Sequence, residues 1–213
     1  MMSIRTNGRI AILVILSVLA VISTSAKLLS GGSMQDKVEN ALSQDSKAIR
    51  QILTLHDELG SDEPQTQEEL DRWVANAQRV SAEIEQLKAQ SLRLRTETIE
   101  RLKSEDPSPL ATRTIEFFEA ENAYFGLADE PRETFVSVSV AGKLSDEHRR
   151  QIEAVRKHGT ALLESFTVLI DAQDRLIEET RSAGIQYVPP WDLERQRELI
   201  ETYKAARRFG EDF

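Results

Sequence analysis

From Leu70 to Leu94 the apolar residues Leu70, Trp73, Ala77, Val80, Ile84, Leu87 and Leu94 recur at alternating spacings of three and four, with Ser91 as the polar interruption. A strand repeats every two residues, so this rhythm requires a helix with one buried face. Thr66-Gln-Glu-Glu69 forms a capping box at its start, and Glu105-Asp-Pro-Ser-Pro109 ends it, with Ser108 capping the next helix and Pro109 at its first position. Past Ser91 the apolar face is expected to shift by one residue to Leu92, Ile99 and Leu102. The helix reaches about Lys103, roughly 38 residues or ~57 Å.

The same rhythm fills most of the chain. Ser33 and Asp36 open a helix along Val38, Leu42, Asp45, Ile49, Ile52, His56 and Leu59, widened by Ala41, Ala48 and Leu55. Gly60 and Pro64 stop it. A shorter aromatic helix spans Leu110 to Leu127, with Leu110, Phe117 and Tyr124 on one stripe and Phe118 and Phe125 on the next. Ser145-Asp-Glu opens a long helix along Ile152, Val155, Gly159, Leu162, Phe166, Leu169, Gln173 and Leu176, with Phe166 expected at its centre and Gly184 as its C′ residue. Tyr187-Val-Pro-Pro-Trp191 reads as a stiff connector to a last helix along Leu193, Ile200, Tyr203 and Ala206. Thr134 to Val140 alternates valine and serine and reads equally as connector, helical extension or strand.

The first thirty residues differ from the rest. Ile10 to Ile22 is apolar but for Ser17, follows Arg5 and Arg9, and gives about 20 residues when counted to Leu29, enough to span a ~30 Å hydrocarbon core. It reads as an uncleaved anchor or, with Thr24-Ser25-Ala26 as cleavage site, as a secretory signal. The basic residues before it and Asp36 and Glu39 after it place the N-terminus inside and the body outside. For a bacterial cell this means a single-pass inner-membrane protein with a periplasmic body, or a periplasmic protein if the leader is cleaved. Leu162 to Ile170, the next most apolar stretch, is short and holds Glu164, so it is no second span.

The expected fold class is therefore all-α. An N-terminal transmembrane or signal-anchor helix, residues 1–29, precedes an elongated antiparallel four- or five-helix bundle with coiled-coil-like seams, residues 30–213.

Charge and composition narrow the function. The chain carries 27 basic and 36 acidic residues. Arg5, Arg9 and Lys27 lie in the leader, which leaves 24 basic against 36 acidic groups in the body. So acidic a body repels phosphate backbones, and nucleic acid is not an expected partner. The chain has no cysteine, which excludes thiol nucleophiles, zinc–thiolate clusters, iron–sulfur sites and covalent haem attachment.

No nucleophile elbow, Walker loop or dinucleotide fingerprint is present. The three histidines, His56, His148 and His158, lack a ligand partner at helical spacing, and His56 reads as a partly buried, hydrogen-bonded side chain. Glu116, Glu119 and Glu121 read as part of a solvated acidic face, as do Asp57, Glu58, Asp62 and Glu63. No catalytic residue, metal ligand or cofactor is expected.

Two sets of residues remain as candidate sites. Asp45, Ser91 and Gln173 are polar groups on apolar stripes, which fix helix register or line a pocket between helices. Phe135, Val136, Val138 and Val140, and separately Tyr187 and Trp191, are positioned to recruit a partner as an added strand or a proline-flanked docking element. The expected function is that of a membrane-anchored extracytoplasmic scaffold or adaptor acting through protein–protein contacts. Its partners are the bilayer along residues 10–29 and other proteins, a second copy of itself included. The alternative is a small-molecule-binding, sensor-type bundle.

Overall fold

The computed structural model describes residues 33–58, 64–105, 107–129 and 146–211, and the side-chain surroundings of those in 33–58, 64–105, 107–129 and 150–205. They form five helices: α1 (Met34–Glu58), α2 (Gln67–Glu105), α3 (Pro109–Ala128), α4 (Asp146–Ser182) and α5 (Leu193–Glu211). Among the described residues there is no strand, and no helix is long and apolar enough to cross a membrane. The leader (residues 1–29) lies outside the described residues, as does the valine–serine alternation with Phe135, Val136, Val138 and Val140.

The helix starts follow local hydrogen bonding. At α1 the Ser33 N–H donates to Asp36 Oδ2 at 2.8 Å and the Asp36 N–H to Ser33 Oγ at 3.2 Å. Thr66 and Glu69 exchange the same pair of bonds at α2, at 3.2 and 3.1 Å. Ser108 Oγ accepts from the Ala111 N–H, with Pro109 in the first turn of α3. Each satisfies N–H groups that have no partner within the helix.

Successive helices run antiparallel. Lys37 pairs with Glu105 at 3.5 Å at one end of the α1–α2 pair, and Arg79 with Glu58 at 3.2 Å at the other. Along α2 and α3, Lys103 meets Glu119 and Lys88 meets Asp129. Along α3 and α4, Glu116 lies 3.6 Å from Arg175, and the rings of Tyr124 and Phe166 are 5.0 Å apart. The base of the bundle thus gathers the start of α1, the end of α2, the start of α3 and the end of α4.

The matching lengths of α2 and α4 suggest a side-by-side pair, but the structure corrects this. Both pack on α3, and α3 is the main neighbour of α4. A heptad rhythm specifies that a helix has a buried face; it does not specify whose face covers it.

Gly184 ends α4 with φ +74°, a backbone that side chains with a Cβ rarely adopt. Its N–H donates to the Arg181 carbonyl at 3.1 Å, and the Ile185 N–H to the Thr180 carbonyl at 2.9 Å, the two bonds of a Schellman turn. The turn sends residues 185–191 back across the bundle as a strap over α1. Gln35 Nε2 donates to the Ala183 carbonyl at 2.8 Å and Arg50 Nη1 to the Val188 carbonyl at 3.3 Å. Gln173 fastens its end: Nε2 donates to the Trp191 carbonyl at 2.9 Å, and Oε1 accepts from the Trp191 N–H at 3.4 Å. α5 then returns along α4, held by Arg197–Asp174 at 2.7 Å and buried Ile200.

Candidate functional site

The centre of the bundle is ionic. Asp45 from α1, Ser91 and Arg95 from α2, and Glu121 from α3 are all buried, Arg95 to 2% exposure. Arg95 Nη1 donates to Asp45 Oδ1 at 3.1 Å and to Glu121 Oε2 at 3.2 Å, and its Nε donates to Asn122 Oδ1 at 2.7 Å. The Ser91 hydroxyl donates to Asp45 Oδ1. The guanidinium also lies over the Phe125 ring, 5.3 Å from its centroid.

One cation therefore faces two carboxyl groups in a dry setting. Asp45 Oδ2 and Glu121 Oε1 have no hydrogen-bond donor of regular geometry among the described residues, and a proton on Glu121 makes that carboxyl a donor rather than a second anion. Burial, then the charge and hydrogen bonding of Asp45, pushes the Glu121 carboxyl well above the usual carboxylate range; Arg95 opposes the shift without cancelling it. The Trp191 indole N–H lies toward the same carboxyl, outside regular hydrogen-bond geometry.

Beside the cluster, the Tyr187 hydroxyl faces Ser46 of α1, and its ring meets Phe117 edge-on at 6.4 Å. Burial, with the charge of Glu121, raises the Tyr187 phenol well above its ordinary value. Trp191 completes an aromatic group with Tyr124, Phe125 and Phe166, with ring centroids 5.7 to 6.4 Å from its own.

The structure thus brings Asp45 and Ser91 into one network and places Gln173 on α4, bonded to the end of the strap. All three are engaged by protein groups. Among the described residues a hollow of about 10 Å³ lies among Met34, Val38, Thr98 and Leu102, away from this network, and an open surface runs along Glu153, Arg156, Lys157, Thr160, Ala161 and Glu164 of α4. Tyr187 and Trp191 turn into the core rather than outward. Among the described residues no group of three or more His, Asp or Glu side chains could hold a metal ion.

Three expectations are corrected. Glu121 is buried, not part of a solvated acidic face. Of the face expected at Leu92, Ile99 and Leu102, Ile99 and Leu102 are buried, but Arg95 and Thr98 are buried with them and Leu92 stands half in solvent. His56 is exposed, because the buried face of α1 ends at Leu55. The missed residues had a signal. Val80, Ile84, Leu87, Ser91, Arg95, Thr98 and Leu102 keep the three–four rhythm unbroken, as do Ala111, Thr114, Phe118, Glu121 and Phe125.

The other end of the bundle is of the opposite kind. Arg79 pairs with Glu58, so about 12 residues of α2, or about 18 Å, run past the end of α1. Phe166 lies beside Tyr124, so about 16 residues of α4, or about 24 Å, run past the end of α3. On these overhangs the apolar seams continue partly exposed: Leu70 is 39%, Trp73 43% and Val74 39% exposed on α2, and Ile152 41% and Val155 39% on α4.

The chain matches no protein-family model, no curated protein and no solved structure.

The raised Glu121 value links stability to pH. A carboxyl that binds its proton more tightly in the folded chain than in the unfolded one contributes stability that is complete at pH below the unfolded value. That contribution is lost as pH rises through the raised folded value. Urea unfolding of the protein is expected to show stability falling from mildly acidic toward alkaline pH, and Glu121→Gln is expected to flatten that slope. A variant with the parent's slope would place the titrating group elsewhere.

Proposed function

We propose that the protein is a membrane-anchored, extracytoplasmic helical scaffold or adaptor, with the apolar residues 10–29 as anchor and the end of the bundle away from Ser33 as its contact surface. The observation that carries this reading is the exposure of the Leu70–Val74 and Ile152–Val155 seams at that end. Apolar side chains left partly exposed on two helices of one end are candidates for covering by another protein. The position supports it too: α1 begins at the base, so a chain entering from an anchor presents the opposite end outward. The reading assigns the protein no reaction of its own. Its interior charges serve to hold the helices and the strap in one arrangement.

The test is a fusion of alkaline phosphatase, active only outside the cytoplasm, to Phe213. The fusion is expected to be active, and to lose activity when Leu13→Arg and Leu16→Arg break the apolar run. A silent fusion made at the parent's level, with the product in the soluble cytoplasmic fraction, would overturn the reading.

A further inference from the structure

We infer that the strap, residues 185–191, is a pH-sensitive latch: it lies closed over the Asp45–Arg95–Glu121 cluster while Glu121 holds a proton, and lifts from α1 once both carboxyl groups are charged. The inference goes beyond the scaffold reading and does not depend on it.

Charge balance sets the closed state. Arg95 of α2 bonds to Asp45 of α1 and to Glu121 of α3 alike. With Glu121 neutral, one positive charge faces one negative charge. With Glu121 ionised, a surplus negative charge stands among buried groups. The other elements packed here do not balance it. α4 presents the uncharged Gln173, and the strap presents Tyr187, whose phenol stays neutral because its own value is raised. Arg50 of α1 is exposed and donates to the Val188 carbonyl. The Trp191 indole favours the charged form of Glu121, but burial and Asp45 outweigh it.

The strap is the part of this enclosure that yields most readily. Amides within a helix donate along that helix, whereas the strap leans on side chains of its neighbours. Arg50 holds the Val188 carbonyl at 3.3 Å, and Gln173 holds Trp191 through bonds of 2.9 and 3.4 Å. Pro189 and Pro190 have no N–H to donate. Gly184 at the start of the segment accepts a wide change of backbone angle. Segments of this kind open locally while the helices stay formed.

Opening also brings water to polar atoms that lack a regular hydrogen bond. Asp45 Oδ2, Ser46 Oγ, Glu121 Oε1, the Tyr187 hydroxyl and Trp191 Nε1 are all buried without one. Each is costly while dry, so hydration offsets part of the contact that Tyr187 and Trp191 lose on lifting. The sign follows from linkage. Glu121 binds its proton more tightly under the closed strap than under the open one. Closure is therefore strongest at acidic pH and weakens as pH rises, by up to about tenfold per pH unit between the two values.

The absence of cysteine makes a thiol test specific. Ser46 is 1% exposed and faces the Tyr187 hydroxyl, so Ser46→Cys places a single thiol beneath the strap. Ile84→Cys places one in the core on α2, beside the 3.2 Å bond from Gln51 of α1 to Glu83, and reports opening of the helices themselves. Full-length protein in detergent micelles is labelled with iodoacetamide. Each rate is divided by that of the same variant unfolded in urea at the same pH, which removes the thiol's own titration.

Protection of the Ser46→Cys thiol is expected to fall tenfold or more from about pH 5 to about pH 8, and to change little in low urea. Adding Glu121→Gln is expected to abolish the pH dependence. The Ile84→Cys thiol is expected to be better protected at every pH and to lose its protection steeply with urea. Hydrogen exchange of the Trp191 amide in the unsubstituted chain, corrected for its intrinsic pH dependence, is expected to give the same slope. Protection at Ser46→Cys that is independent of pH, equal to that at Ile84→Cys, or unchanged in slope by Glu121→Gln would overturn the inference. A pH slope in urea unfolding with none at the strap overturns the latch and assigns the titration to the whole fold.

Discussion

Replacing Arg95 with alanine is expected to lower the free energy of unfolding by about 3–5 kcal/mol, the loss that follows when one partner is taken from a buried ion pair. The guanidinium hydrogen-bonds to both Asp45 and Glu121, and it also satisfies Asn122 and covers one face of Phe125. Without it two buried carboxyl groups face each other with no cation between them. The urea midpoint, followed by circular dichroism, checks this. The same principle gives the control. Asp45→Leu with Arg95→Met and Glu121→Leu is expected to recover most of the loss, because well-packed apolar replacements of a buried ion cluster are commonly neutral or stabilising. If the triple variant is as unstable as Arg95→Ala, the cluster contributes net stability rather than register.

A second large loss, again about 3–5 kcal/mol, is expected for Phe117→Ala. Phe117 is fully buried on α3, 5.8 Å between ring centroids from Phe118, and its edge contact with Tyr187 holds the strap. Truncation leaves a cavity between α3 and a segment of seven residues with little packing of its own. Phe166→Ala is the comparison. Phe166 sits at the rim of the aromatic group and is only half-buried, so its truncation costs clearly less. Equal losses by calorimetry would mean that the core is centred on α4, as the heptad rhythm alone suggests.

These two residues also show what was legible in the sequence. The caps at Ser33, Thr66 and Ser108 and the glycine stop at 184 are local arrangements of a few residues, and the chain carries them openly. Asp45, Ser91 and Gln173 stand out as polar residues on apolar stripes, and all three are buried. Arg95 and Glu121 hold the same stripe positions, but their long charged side chains are normally read as solvated. Burial becomes tolerable only when opposite charges from three helices converge, and that convergence is a property of tertiary packing.

The neighbours of each helix were hidden for a related reason. Apolar spacing shows that α2 and α4 each have a face to bury, but they bury it on other helices, α2 on α1 and α3, and α4 mainly on α3. The pattern also ran on through Leu70, Trp73, Ile152 and Val155, which the described helices leave partly exposed. Sequence reading treats every apolar seam position as core; here the seam outruns the core, and the excess is the candidate contact surface.

The most direct test of the central claim, that the end away from the anchor is where this protein meets others, is a photo-crosslinking scan in living cells. A photoreactive amino acid is placed in turn at the positions of Trp73 and Val155, at the tip, and of Ser104 and Ser182, at the base. The expected result is strong crosslinks to protein, a second copy included, from the two tip positions and weak ones from the base. Crosslinks concentrated at the base, or none from the tip, would contradict it.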